Sequence, residues 1–148
     1  MHIIINIITV IVTFFFMEFV AWFTHKFIMH GFMWFLHRDH HEPHDNVLEK
    51  NDWFAFIFAI PSATLWYLGV VHKIDFIFYI GIGIAVYGVT YFLVHDVIVH
   101  QRVKILRNWN NRYVRAIRRA HKIHHKKLVK EDGESFGFVI VPEKYWDK

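Results

Sequence analysis

The chain has 148 residues, of which 55% are hydrophobic and 19% are aromatic, which is more apolar surface than a soluble domain of this length needs. The length fits one domain, and the absence of cysteine excludes disulfides, thiolate-bound metals and iron–sulfur clusters. The formal net charge is +4, and the position of that charge along the chain is more informative than its sum.

Three apolar segments, residues 3–23, 53–71 and 76–94, are each long enough to cross a bilayer. As a helix, the first segment is roughly 30 Å long, which is the thickness of the hydrocarbon core. It is too long for the core of a signal peptide, and it lacks a basic leader and a small-residue cleavage site. We therefore expect it to be retained as the first transmembrane helix.

The connections between these segments place two regions on one face of the membrane. Residues 72–75 form a tight turn between the second and third segments, so residues 24–52 and 95–148 must share a face. Sixteen of the seventeen Lys and Arg residues lie in those two regions, and only Lys73 lies on the other side. The positive-inside rule predicts that the shared face is cytoplasmic.

Histidine is concentrated on the same face. In each half of the chain, a histidine pair five positions apart is followed by a His-x-x-His-His triplet. The ten clustered histidines are His25, His30, His37, His40 and His41 in the first half, and His95, His100, His121, His124 and His125 in the second. Ten nitrogen ligands are too many for one metal ion and about right for two.

The spacing within the triplets favours a shared helix face, because residues three and four apart are neighbours on a helix. The pairs five apart lie about 140° apart on an ideal helix, so they converge only if the helix ends or bulges between them. Imidazole suits zinc, copper, iron or nickel, but a structural zinc takes four ligands, usually including cysteine. Two irons, each with an open position for oxygen, match the count better.

Acidic residues are candidates for supporting the histidines, because a ligating imidazole needs an acceptor for its second nitrogen. We predict Asp39 and Asp96 in this role. Glu18 is the one acidic residue inside a predicted span, where a carboxylate is costly. Two interpretations of Glu18 stay open: a functional group that supports the site, or a residue that bonds a neighbouring segment.

Residues 101–130 are strongly basic, with hydrophobic residues interleaved, and no stretch of them is apolar enough for a fourth span. They are expected to form a helix at the membrane interface or over the site. This charge is most often the positive-inside signal alone, but it can also attract an acidic electron carrier. The candidates for docking such a carrier are Arg115, Arg118, Arg119 and Lys122. Residues 133–148 are predicted to be irregular, as a lid or a floor.

At these motifs the sequence resembles the bacterial beta-carotene hydroxylases of the fatty acid hydroxylase superfamily, over nearly the whole chain. Histidine boxes alone mark the superfamily, and three stretches resemble the carotenoid branch specifically. These stretches are His40-His41-Glu42-Pro43, His95-Asp96 through His100-Gln101-Arg102, and Ser135-Phe136-Gly137-Phe138.

The pattern and the resemblance together predict an all-α integral membrane bundle. It forms a single membrane-bound hydroxylase domain over residues 1–148, with three clear spans, or about four by the resemblance. Its histidine regions, 24–52 and 95–130, form a cytoplasmic site at the bacterial inner membrane. The resemblance further implies two non-haem iron ions held by the ten histidines, O2 as co-substrate and a reduced ferredoxin-like electron donor. It implies hydroxylation at C3 of β-ionone rings, from beta-carotene through beta-cryptoxanthin to zeaxanthin.

Two alternative functions remain open at this stage. The first is a hydroxylase or desaturase of another lipid, such as a fatty acyl chain or a sterol. The second is a membrane metal-binding or transport protein without enzymatic activity. A transporter is expected to carry polar residues through the middle of its spans, and apart from Glu18 and scattered Thr, Ser and Asn the spans lack them.

Overall fold

The computed structural model describes residues 2–42, 46 and 48–146, and within these ranges the regular structure is entirely helical. Pro43 of the second histidine motif lies outside the described residues. Five α-helices carry the fold: α1 His2–Phe23, α2 Trp34–His41, α3 Trp53–His72, α4 Asp75–Phe92 and α5 Arg112–His125. Two π-helical segments, Thr24–Phe32 and Leu93–Val99, continue α1 and α4 respectively. The predicted all-α membrane bundle is confirmed.

Three helical stretches in the described part of the chain are long and apolar enough to cross a membrane: His2–Phe32, Lys50–His72 and Asp75–Val99. The first and third are longer than the apolar segments 3–23 and 76–94, because the π-helical segments extend them. α5 is only 14 residues long and is capped by Asn111, whose side chain accepts a hydrogen bond from the Val114 N–H. It packs across the histidine end of the bundle and is not among the spanning stretches.

The helix α4 lies between α1 and α3, and small residues bring the three together. A Cβ atom placed on Gly83 would lie 2.6 Å from Cβ of Thr13 on α1. On the other side, the Ser62 hydroxyl of α3 donates to the Gly81 carbonyl at 2.8 Å. Close approach at small residues is the usual way in which helices associate where lipid removes the hydrophobic driving force.

This contact gives a prediction about stability. We expect Gly83→Ala to destabilise the folded protein by about 1–3 kcal/mol, because the added methyl overlaps Thr13 and the two helices must separate. Thermal unfolding of the purified protein in detergent measures the change. Gly88→Ala on the same helix is the matched control, since a Cβ there meets no atom within 4 Å. Equal melting temperatures for the two variants would contradict the assignment of Gly83 to the helix contact.

Residues after α5 return to the bundle and cover its histidine end. Val141 and Tyr145 join a buried apolar cluster with Val94, Ala116 and Ile117. The phenol of Tyr113 donates to the Val139 carbonyl at 2.9 Å, so α5 and the C-terminal segment, residues 126–146, are fastened to each other. The segment is largely irregular, with a 3-10 turn at Glu143–Tyr145.

Candidate metal centre

His25 and His30 lie in the first π-helical segment, and His95 lies in the second, which ends next to His100. At that end, the His100 N–H donates to the His95 carbonyl at 2.8 Å, a five-residue step in place of the four-residue step of an α-helix. The wider turn brings the paired rings to one side, with centroids 4.5 Å apart for His95 and His100 and 5.2 Å apart for His25 and His30. The helix therefore bulges between the members of each pair, as their convergence requires.

Nine of the ten clustered histidines fall into two groups, and the ligand nitrogens within each group lie within 4.8 Å of one another. The first group is His25, His30, His37, His41 and His124; the second is His40, His95, His100 and His121. Each group thus takes most of its members from one half of the chain and one from the other. The exchanged residues, His40 and His124, are the middle members of the two triplets.

In the first group every Nδ1 has an acceptor. Four Nδ1 atoms lie 2.9–3.1 Å from backbone carbonyl oxygens, and the fifth, on His37, lies 2.7 Å from Oδ1 of Asn51. The carbonyls belong to Phe136 for His25, Lys130 for His30, Lys127 for His41 and Glu134 for His124. A carbonyl oxygen can only accept, so these imidazoles carry their proton on Nδ1 and present an unprotonated Nε2.

The Nε2 atoms of this group face one another. They are 3.1 Å apart for His25 and His37, and 3.2 Å apart for His30 and His124. With Nδ1 protonated, neither nitrogen of such a pair has a proton to donate, so lone pairs oppose each other at close range. A cation between them removes this repulsion, and adjacent nitrogens around an ion with bonds of about 2.1 Å are roughly 3 Å apart. The first group therefore fits a metal ion.

The second group is supported by carboxylates instead. His40 Nδ1 lies 2.6 Å from Oε2 of Glu49, and His95 Nδ1 lies 3.4 Å from Oδ2 of Asp96. The Nε2 atoms again converge, at 3.1 Å for His40 and His95 and 2.7 Å for His100 and His121. Carboxylate acceptors raise the basicity of a ligating imidazole, so the two groups differ electrostatically: mostly backbone carbonyls support the first, and anionic side chains support two members of the second.

His125, the tenth clustered histidine, lies beside the second group. Its ring centroid is 4.4 Å from that of His121 and 4.7 Å from that of His40. Its Nε2 is buried and has no hydrogen-bond partner among the described residues. A buried polar nitrogen without a partner costs free energy, and a metal ion at the second group offers it a partner.

Burial keeps the histidines outside the membrane-spanning stretches neutral. Desolvation, followed by the influence of His30, lowers the pKa of His41 to about 4. Desolvation and the neighbouring His41 lower the pKa of His124 to about 3. Neutral imidazole is the form that binds metals, so burial favours the metal-binding form of these two residues.

The acidic residues singled out in the sequence occupy different positions. Asp96 lies beside His95 and also accepts from the Arg102 guanidinium at 2.8 Å. Asp39 accepts from the Lys50 N–H at 2.8 Å, and no hydrogen bond to a histidine is seen for it within the described residues. The acceptors Glu49 and Asn51 were not assigned from the sequence. The spacing of nine and fourteen residues from their histidines is not a recognisable signal.

Glu18 bonds a neighbouring segment, not a histidine. Its Oε1 accepts three consecutive backbone N–H groups, from Phe138, Val139 and Ile140, at 3.0–3.1 Å. Its Oε2 accepts the hydroxyl of Tyr87 at 2.7 Å. One carboxylate on α1 therefore ties the C-terminal segment and α4 together inside the bundle.

Two aromatic residues of the C-terminal segment pack against the histidines. Phe136 makes edge contacts with the rings of His25, His30 and His124 at centroid distances of 5.1–5.3 Å. Phe138 stacks on His25 at 4.9 Å and lies edge-on to His95 at 5.5 Å. Phe138 thus touches both groups, and the segment excludes water from the histidines on this side.

An apolar cavity of about 620 Å³ adjoins the histidines. It lies among α1, α3 and α4, and its lining runs from Trp66 and Gly81 in the bundle to Tyr91, Asp96 and Phe138 at the histidine end. The Tyr91 ring stacks on His95 at 4.8 Å. The cavity is therefore an apolar chamber whose inner end is separated from the histidines by single aromatic rings.

Three of the four docking candidates on α5 donate hydrogen bonds to backbone carbonyls. The Arg118 guanidinium donates to the carbonyls of Ile98 and Trp109 at 2.9 and 3.1 Å, and Arg119 donates to the Tyr145 carbonyl at 2.9 Å. Arg115 donates to the Asn110 carbonyl at 3.2 Å. Arg115, Arg119 and Lys122 are exposed, so three of the four docking candidates present charge at the surface.

The chain is similar to known proteins over most of its length. The sequence model described as "Fatty acid hydroxylase" matches residues 10–148. A beta-carotene hydroxylase of Paracoccus sp. (strain N81106 / MBIC 01143) is 37% identical over 138 residues, covering 93% of this chain and 85% of that protein. A beta-carotene hydroxylase of Pantoea ananas is 41% identical over 137 residues, covering 93% and 78%. No solved structure is significantly similar to the chain.

Proposed function

Because this chain belongs to the fatty acid hydroxylase family, we propose that it is a carotenoid hydroxylase that inserts one oxygen atom of O2 at C3 of β-ionone rings. The reaction converts beta-carotene to beta-cryptoxanthin and then to zeaxanthin. The observation that carries the proposal is the apolar cavity of about 620 Å³, which ends beside both histidine groups in a chain similar to beta-carotene hydroxylases.

The family and the two histidine groups fit a non-haem iron site. We assign the five histidines of the first group to one ion, and the four of the second group together with His125 to the other. When bound, the two iron ions supply the activation of O2 and the oxidising power that cleavage of an unactivated C–H bond requires, which no protein side chain provides. The histidines remain neutral ligands, held in place by the acceptors on their Nδ1 atoms.

The remaining work falls to the residues around the cavity, which must hold the ring in place and keep water out. Phe138 and Tyr91 form its inner end and touch the histidine rings. Their flat faces suit an apolar ring and offer no competing hydrogen bond along it. The substrate dissolves in the bilayer, so a cavity among the spanning helices receives it without passage through water.

We place the histidine end at the cytoplasmic face of the bacterial inner membrane, because nearly all Lys and Arg residues lie at that end. The electron donor is a reduced, acidic ferredoxin-like protein. It docks on the basic surface of α5, where Arg115 and Lys122 are exposed and Lys122 directly follows His121. Opposite charge on the two partners speeds their encounter.

The test is pigment chromatography from a bacterial host that already makes beta-carotene. We expect wild-type protein to yield beta-cryptoxanthin and zeaxanthin, and His124→Ala to reduce them by more than about 100-fold through loss of a metal ligand. The matched control is His72→Ala, because His72 ends α3 at the opposite end of the bundle, and its product level should equal that of the wild type.

Unchanged beta-carotene, from wild-type protein that is in the membrane and carries iron, would exclude the carotenoid substrate. Profiling of fatty acids and sterols in the same cells then identifies another hydroxylated lipid. Iron binding without oxygen consumption, whatever lipid is supplied, would favour a metal-binding protein over any hydroxylase.

A further inference from the structure

The cavity beside the histidines is closed on two sides. On the α1 side its wall consists of Met17, Ala21 and Met29, all of which are buried. Toward the turn between α3 and α4 it ends at Trp66, where α3 packs closely on Gly81. An apolar ligand therefore cannot reach the chamber from α1 or from the far end of the α3–α4 hairpin without separating packed helices.

The exposed part of the lining lies on α3 and α4, mostly in the half of the bundle nearer the histidines. On α3 it includes Trp66 and three alanines spaced by one helical turn: Ala55, Ala59 and Ala63. On α4 it includes Ala85, Gly88, Val89 and Phe92. Both helices are membrane-spanning stretches, so the opening between them faces lipid and not water.

Gly88 differs from the other glycines in the middle of α4. A Cβ atom at Gly81 or Gly83 would lie 2.6–2.7 Å from a neighbouring helix, whereas a Cβ at Gly88 meets nothing within 4 Å. Glycine disfavours a helix relative to alanine, and helix packing does not require it at this position. What the missing side chain provides is free space at the mouth of the cavity.

The distance from Gly88 to the metal centre suits a rod-shaped substrate. Gly88 precedes His95 by seven residues, which is about 10 Å along a helix, and Tyr91 lies between them against the His95 ring. A ring held at the inner end by Tyr91 and Phe138 must pass its attached polyene chain outward along α4. A conjugated polyene is stiff, so it cannot bend around an obstruction at the mouth.

We propose that Gly88 determines substrate access: the ring of a carotenoid enters sideways from the bilayer between α3 and α4, and the polyene lies over Gly88 while the ring is held at the metal centre. This inference rests on the proposed carotenoid activity and adds to it the route and the residue that sets its width. A side chain at position 88 obstructs the polyene without touching a histidine.

The chain has no cysteine, which permits a test on protein that has already folded. Gly88→Cys places one thiol at the opening, and benzyl methanethiosulfonate then adds a removable aromatic group. We expect the modification to reduce beta-carotene hydroxylation by at least about 10-fold, as expected when a pocket loses the volume its substrate needs. Iron content should not change, and dithiothreitol should restore activity. Bound beta-carotene should also slow the modification.

The matched control is Val86→Cys on the same helix, which is exposed and absent from the cavity lining. Its modification should leave activity within about 2-fold of the unmodified variant and should be insensitive to beta-carotene. Full activity after complete modification at position 88, or equal inhibition at both positions, would overturn the proposed route. Failure of the unmodified wild type to hydroxylate any carotenoid would instead overturn the proposed function. The experiment therefore distinguishes failure of the route from failure of the function.

Discussion

The His40→Ala variant is expected to lose one of the two metal ions and to hydroxylate at least about 100-fold more slowly than wild type. His40 lies on α2 between His37 and His41, yet its Nε2 faces His95 at 3.1 Å and not its two neighbours. Its removal takes one nitrogen from the group that is otherwise supplied by the second half of the chain. Iron analysis of the purified protein should therefore show about half of the wild-type content.

Double variants show which site each histidine serves. His40→Ala combined with His95→Ala should lose no more iron than either single variant, because both residues belong to one group. His40→Ala combined with His37→Ala should lose nearly all iron, because the effects of independent sites add. Arg38→Ala is the control on the same helix, where the side chain is 62% exposed and pairs with Glu42. If the His37 and His40 effects did not add, the division into two groups would be wrong.

The Glu18→Leu variant is expected to be destabilised by at least about 3 kcal/mol, because hydrogen bonds to a charged acceptor contribute strongly and their buried donors would lose it. Four donors meet this carboxylate, three of them from Phe138, Val139 and Ile140. Loss of their acceptor should release the C-terminal segment from α1. The melting temperature in detergent should fall, and trypsin should cut at Lys126, Lys127 and Lys130 under conditions in which the wild type stays intact.

Glu18→Gln tests whether hydrogen-bond geometry or charge is responsible. The glutamine carbonyl can still accept the backbone N–H groups, and its amide can donate to the Tyr87 oxygen. The loss of stability in Glu18→Gln should therefore be less than half of the loss in Glu18→Leu. A Glu18→Leu protein with the wild-type melting temperature and a protected C-terminal segment would show that the carboxylate does not hold this segment.

The arrangement of the helices could be predicted because it follows from length and hydropathy. Three apolar segments and a short turn at residues 72–75 force the two histidine regions to one end, and the structure brings those histidines together there. The spacing of five in His25/His30 and His95/His100 also indicated a break in α-helical geometry. Its form as a π-helical step depends on how the segments pack, which spacing does not specify.

The supporting atoms could not be predicted in the same way. Four of the five acceptors in the first group are backbone carbonyls between residues 127 and 136. Every residue has a backbone carbonyl, so the sequence does not show which of them accept. The sequence also does not show that His40 and His124 each join the group formed mainly by the other half of the chain. Each lies within a triplet whose members share a helix, so the spacing places it with its neighbours. Which group a histidine joins is decided by the contacts of α2 with α5, not by position along the chain.

Each histidine group includes one residue from the other half of the chain, and this determines the stage of biosynthesis at which metal can be captured. Chains emerge from the ribosome N-terminus first, so residues 24–41 appear long before α5. Until α5 follows, the first group lacks His124 and the second lacks His121, so a nascent chain holds neither ligand set in full. Each captured ion then closes a long loop of the chain, which constrains the unfolded state. Maturation of the fold and acquisition of metal are in this sense a single, late event.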